Sequence, residues 1–245
     1  MMIHNKYAVP TAHSDDDDCS NGPPPDKHLY FFEDTSTSRC ITAYLDERIR
    51  DAKFYRPLLQ SIYSLGPNDS LQIIINSYGG DLDGALSIIS AIKSTDANVT
   101  VCIDGAAASA ASLIALVAPT LLVSEYSTMM IHSATFGSVG KQSDVISHAT
   151  FMDRRIKSIM QDIYKDFLTD QEMQDVMTGR EIWLDAEGIG ERLMERQKKQ
   201  QARYDQEEEE REVKAAGKAA GKAVAKPPAK KVPLKPSPKA KAKKV

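Results

Sequence analysis

Leu71-Gln72-Ile73-Ile74-Ile75-Asn76-Ser77-Tyr78-Gly79-Gly80-Asp81 is the stretch that decides the fold. Leu71–Ile75 is a short, almost continuous apolar run, the pattern of a strand buried on both faces. Asn76–Asp81 is a breaker segment, after which Leu82, Ala85, Leu86, Ile89 and Ile92 recur at helical spacing. Strand, breaker and helix then repeat as Val99–Ile103, a small-residue turn over Asp104–Ala108, and a helix from about Ser109 to Val117. Thr120–Val123 and Thr128–Ile131 suggest a third pair of strands. Strands alternating with helices predict βαβ units, a parallel sheet and helices on its faces.

Outward from this centre the pattern stays regular. Cys40–Leu45 reads as a short strand upstream, with order beginning near Tyr30-Phe31-Phe32. Downstream, Val145, Ala149, Met152, Ile156, Ile159, Ile163 and Phe167 step by three and four residues, with charges on the opposite face, and predict a long helix. Thr169 or Asp170 caps the next helix, and Trp183-Leu184 reads as a last short strand. Residues 1–27, with the acidic run Asp15–Asp18 and Pro23–Pro25, offer nothing for a core and read as a disordered leader. Residues 198–245 are charged and of low complexity. Glu207–Glu210 suits a solvated helix extension, and the remainder is given no fold. A single domain over 28–197 lies between these ends.

The formal charge of −3 hides an asymmetry. From Val213 onward there are eleven lysines and no acid, so the rest of the chain carries twenty basic and thirty-four acidic residues. The basic segment suits weak, sequence-independent neutralisation of nucleic-acid phosphates, set against a purely solubilising role. Cys19, Cys40 and Cys102 are too few for a disulfide framework and lack zinc-site spacing, which implies free thiols in a reducing compartment. No apolar run approaches a membrane span, and the polar N-terminus matches neither a secretory signal nor a transit peptide. The expected location is the cytoplasm.

Both breaker segments follow a strand and open a helix, where backbone N–H groups stabilise negative charge. Gly79 and Gly80 let a substrate backbone come close. In Gly105-Ala106-Ala107-Ala108-Ser109-Ala110-Ala111-Ser112 the small neighbours let Ser109 sit on a tight turn with its hydroxyl exposed, as in a nucleophile elbow. His132 closes the apolar strand Met129-Met130-Ile131, and of the chain's five histidines it is the one placed where a strand meets a loop. A serine hydroxyl needs such a base, a site for the oxyanion and an acid to orient the imidazole.

Asn76-Ser77-Tyr78-Gly79-Gly80, Gly105-Ala106-Ala107-Ala108-Ser109 and Met130-Ile131-His132 resemble, in order and separation, the three signature segments of the Clp protease proteolytic subunit family. The resemblance spans about Tyr30 to Leu193. It implies a crotonase-like fold of stacked βαβ units with a protruding handle helix. It also implies a serine endopeptidase with Ser109 as nucleophile, His132 as base, and an oxyanion hole from Gly79 or Gly80 and Ala110. No metal or organic cofactor is implied. Partners by resemblance are polypeptide substrates, an AAA+ unfoldase ATPase and further copies forming heptameric rings, single or stacked face to face. The third triad member departs from the pattern: Glu181 stands where the family usually has aspartate, with Asp185 as the fallback.

Three other readings compete. One is a catalytically silent ring subunit. Another is a crotonase-type enzyme acting on an acyl-coenzyme A thioester, which commonly works through carboxylates. The last is a Ser–Lys peptidase, for which Lys93 and Lys141 are the candidate bases.

Overall fold

The computed structural model describes residues 31–34 and 38–224. The expected leader, Cys19 and most of the basic end lie outside them. The elements run β1 (Phe31–Asp34), β2 (Cys40–Leu45), α1 (Arg56–Tyr63), β3 (Ser70–Ser77), α2 (Leu82–Ser94), β4 (Asn98–Ala108) and α3 (Ala110–Val117). They continue with β5 (Thr120–Val123), β6 (Thr128–Ile131), α4 (Gln142–Tyr164), α5 (Asp170–Met177), β7 (Ile182–Asp185) and α6 (Ala186–Val224). The sheet order is β1-β2-β3-β4-β6-β7, with β5 also on β4. Neighbours from β2 to β6 are parallel, while β1 and β7 close the edges antiparallel. This is the α/β arrangement expected from the repeated strand–breaker–helix units.

Two readings need correction. The decisive strand is not buried on both faces: Leu71, Ile73 and Ile75 are buried, whereas Gln72 and Ile74 are half-buried. In register with them, Ile41, Ala43 and Leu45 of β2 and Val99, Val101 and Ile103 of β4 fill the same core face. Each of these apart from Ala43 contributes roughly 1.5–3 kcal/mol by leaving water. The second correction is that Asp104–Ala108 is no turn. It continues β4, which switches partners midway: Thr100–Ile103 pair with β5, and Ala106–Ala108 with β6. β5 and β6 therefore lie against successive halves of one strand and do not pair with each other. A register break opposite Asn76 makes the handover possible, and the Asn76 Oδ1 accepts the Ala106 N–H at 3.0 Å, replacing the missing ladder bond.

The helices begin for identifiable reasons. Asp81 caps α2 by accepting the Gly84 N–H at 2.7 Å, a bond worth about 1 kcal/mol. Thr169 caps α5 in a full capping box with Glu172. Arg192 of α6 then grips Glu172 at 2.6 and 2.8 Å, and this bonding holds the Glu172 carboxyl down to about 2. Helix α1, with Pro57 in its first turn, was not anticipated.

Of the expected apolar stripe, Ile156, Ile163 and Phe167 are buried and Val145, Ala149, Met152 and Ile159 are half-buried. In the second half of α4, Ile156, Met160, Ile163 and Tyr164 are buried in the core. Beside that stripe in the first half, Ile146 and Phe151 stay more than half exposed, uncovered by any of the described residues. The last helix overruns the boundary placed at 197. α6 continues through the low-complexity segment to Val224, 39 residues in all. Ala, Gln, Glu, Lys and Arg are strong helix formers, and the Glu210–Lys214 pair at 3.0 Å adds an i,i+4 contact. No described helix is long and apolar enough to cross a membrane.

Candidate active site

The register of the central sheet decides what meets at its C-terminal edge. Ala108 is paired with Met130, so β4 and β6 leave the sheet side by side, and the Ser109 N–H donates to the Met130 carbonyl at 2.8 Å. In the residues that directly follow β4 and β6, Ser109 Oγ and His132 Nε2 stand 2.7 Å apart. Both residues are half-buried. Ser109 takes the N-cap position of α3, yet its hydroxyl makes no capping bond, which leaves it to the imidazole. Its backbone sits at φ 54°, ψ −122°, a conformation that costs a side-chain-bearing residue about 1–3 kcal/mol. This is the strained strand-to-helix turn that aims a hydroxyl out of the sheet.

The glycine pair abuts this turn. Gly79 has φ +86°, and a Cβ added to it would fall 2.6 Å from the Ala108 carbonyl oxygen and 2.8 Å from the Ser109 Cβ. A side chain there would displace Ser109. The two glycines are not equivalent as donors. The Gly79 N–H donates to the Ser77 Oγ at 3.2 Å, and Ser77 in turn donates to the Glu47 carbonyl at 2.5 Å. The Gly80 N–H has no acceptor among the described residues, nor has the Ala110 N–H at the first turn of α3. Of the expected donors, Gly80 and Ala110 are therefore free, and Gly79 shapes the loop.

Glu181 is where the arrangement departs from expectation. Carried one step beyond the last β6–β7 pair, Ile131 with Ile182, the register puts Glu181 across from His132. Its exposed carboxylate nevertheless accepts the Trp183 indole N–H at 3.1 Å and makes no bond to the imidazole. Position on the strand was legible, but a longer, solvent-exposed side chain has other partners within reach. Asp185 is also turned away, accepting the Gly188 N–H at 2.9 Å at the start of α6. Among the described residues, Ser109 is the one hydrogen-bond partner of His132.

The pair lies in a cleft of about 1070 Å³ between the glycine loop and α4. Leu113, Met152, Ile156, Ile159 and Met160 give it an apolar wall, and Asp83 and Arg155 face each other across it at 2.6 Å. No lysine lines it. Lys93 pairs with Asp162 at 3.0 Å, and Lys141 is exposed at the start of α4. Four contributors escaped the sequence reading. Asn76 and Ser77 were read as part of a breaker and signature segment but given no role, although polar residues directly after a buried strand are candidates to satisfy displaced backbone. Ser112 and Tyr164 gave no signal beyond packing.

Fold and site together define a class: a βαβ protein that presents a serine hydroxyl to an imidazole at the C-terminal edge of a mostly parallel sheet, beside two free backbone N–H groups. The family model of Clp protease matches residues 37–191, and the chain belongs to that family. No curated protein matches the chain closely enough to add a relative.

Proposed function

We propose that the chain is a serine peptidase subunit that cleaves peptide bonds through an ester at Ser109. The 2.7 Å contact between Ser109 Oγ and His132 Nε2 carries this reading. As Oγ attacks the carbonyl carbon, its proton passes to Nε2, and the oxygen that becomes negative is met by the Gly80 and Ala110 N–H groups. Collapse breaks the C–N bond, and His132 returns the proton to the leaving amine. Water, activated by the same imidazole, then hydrolyses the ester and restores Ser109. No cofactor enters these steps. The apolar wall of the cleft suits substrates with apolar side chains in extended polypeptide.

Incubation of the full chain with a fluorophosphonate probe tests the assignment. One adduct is expected, and peptide mass spectrometry should place it on Ser109. A chain that stays unlabelled, or is labelled elsewhere, refutes it. The same experiment separates a second reading, a catalytically silent ring subunit, which is favoured by the Glu181 carboxylate bonding the Trp183 indole instead of the imidazole.

Family membership also supports ring assembly and an ATP-driven unfoldase as partner for folded substrates. The apolar residues left open on the first half of α4, Ile146 and Phe151, suit a contact between copies. Covering both would stabilise an assembly by roughly 3 kcal/mol per protomer. Ile146→Glu combined with Phe151→Glu should lower the native mass to that of a smaller species while leaving the circular dichroism spectrum unchanged. An unchanged native mass would remove α4 from the interface.

A further inference from the structure

The nucleophile turn is braced by a buried hydrogen-bond chain that takes no part in the steps above. The Ser109 carbonyl accepts from the Ser112 N–H at 3.0 Å and from the Ser112 hydroxyl at 2.6 Å. The Ser112 Oγ lies 2.7 Å from the Tyr164 Oη. Ser112 is fully buried and Tyr164 is 1% exposed, so water cannot stand in for either. The chain has only one direction. A carbonyl can only accept, Ser112 has a single hydroxyl proton, and that proton is committed to Ser109. Tyr164 must therefore donate to Ser112. Burial pushes the Tyr164 phenol well above its ordinary range, so the proton is present at any working pH.

Two buried hydroxyls that satisfy one another are common in protein cores. What sets this chain apart is its end point and its origin. It ends on the carbonyl of a residue held at φ 54°, where a small rotation of the peptide would swing both Oγ and the Ala110 N–H. It starts on α4, the helix that forms the apolar wall of the cleft. Successive hydrogen bonds polarise one another, so loss of the first donor weakens the bond onto Ser109.

We propose that Tyr164 is a positioning residue for the nucleophile, acting through Ser112 to fix the Ser109 backbone so that Oγ meets His132 and Ala110 meets the oxyanion. The inference rests on Ser109 being the nucleophile. Tyr164→Phe keeps the buried ring and deletes only the donor. In the full chain it should lower kcat for a peptide substrate, and the second-order rate of fluorophosphonate labelling, about tenfold, within the range that slight misplacement of a reacting group costs. KM should stay within about twofold, because the cleft wall is intact. Ser112→Ala should reproduce the loss, and the double variant should be no slower than Ser112→Ala alone, because both changes act through one carbonyl. A core with only a structural role would instead show losses that follow the folded fraction in a melting curve and multiply in the double variant. Labelling and kcat within twofold of wild type in Tyr164→Phe, or multiplying losses, overturn the proposal. If Tyr164→Phe fails to fold, the Ser112→Ala rates decide on the same criteria. An unlabelled wild type is a different result: it removes Ser109 as nucleophile, and this inference falls with it.

Discussion

Ser109→Ala should abolish peptide hydrolysis and fluorophosphonate labelling while leaving the chain folded. Removing a catalytic serine typically lowers kcat by about 10⁶-fold, and the remaining rate would come from the Gly80 and Ala110 donors alone. Stability should move by less than about 1 kcal/mol, because a half-buried hydroxyl is lost and no core volume with it. Backbone geometry adds a sharper expectation. Alanine inherits the strain of φ 54° at this position, whereas glycine adopts positive φ freely. Ser109→Gly should therefore be as inactive as Ser109→Ala but more stable by about 1 kcal/mol, the relieved strain outweighing the added entropy of the unfolded chain. Melting curves of the two variants measure this directly. A glycine variant that melts below the alanine variant would mean that Ser109 is not strained. Hydrolysis at wild-type rate in either would exclude it as the nucleophile.

The sequence made the site legible wherever a side chain's role follows from its place on a strand or a helix start. Leu71–Ile75 followed by Gly79-Gly80 located one loop, and the small-residue run located Ser109. Strand position located His132. It failed where the cause lies across the sheet. Asp104–Ala108 is rich in small residues and reads as a turn, but the Asn76 side chain bonds to the Ala106 backbone and keeps the strand going. The choice of Gly80 over Gly79 as a free donor depends on the Ser77 hydroxyl, and no local pattern encodes that bond. Helix α6 exposes a different limit. Composition denies residues 198–211 a core, and they are exposed, yet helix formation needs only local propensity and i,i+4 pairing, as between Gln201 and Asp205 at 2.7 Å. The exposed Ile146 and Phe151 of α4 show a related limit. Periodicity marks an apolar face, but it cannot say whether the same chain or another copy covers it.

His132→Ala should cost nearly as much as loss of the serine, about 10⁴-fold or more in kcat, because no other base among the described residues bonds to the hydroxyl. Among the described residues neither the lysines nor the carboxylates bond to Ser109 Oγ, and its one side-chain partner is the imidazole at 2.7 Å. Labelling should slow in parallel, since the probe depends on the same deprotonation. The contrast with Glu181 tests the site's least expected feature. In most serine hydrolases an acid orients the imidazole, and its loss costs about 10⁴-fold. Here the Glu181 carboxylate is engaged by the Trp183 indole, while the lie of the ring follows from β6, whose pairing with β4 delivers His132 beside Ser109. Glu181→Gln can still accept the indole N–H, so kcat should stay within about threefold of wild type and the pH dependence should keep its shape. A loss of a hundredfold or more would show that the carboxylate leaves Trp183 for the imidazole in the working enzyme. The register across β6 and β7 would then have been the better guide than the side chain's present partner. Activity retained in His132→Ala would be the graver result, because a hydroxyl that attacks without this imidazole must draw on a base from outside the cleft.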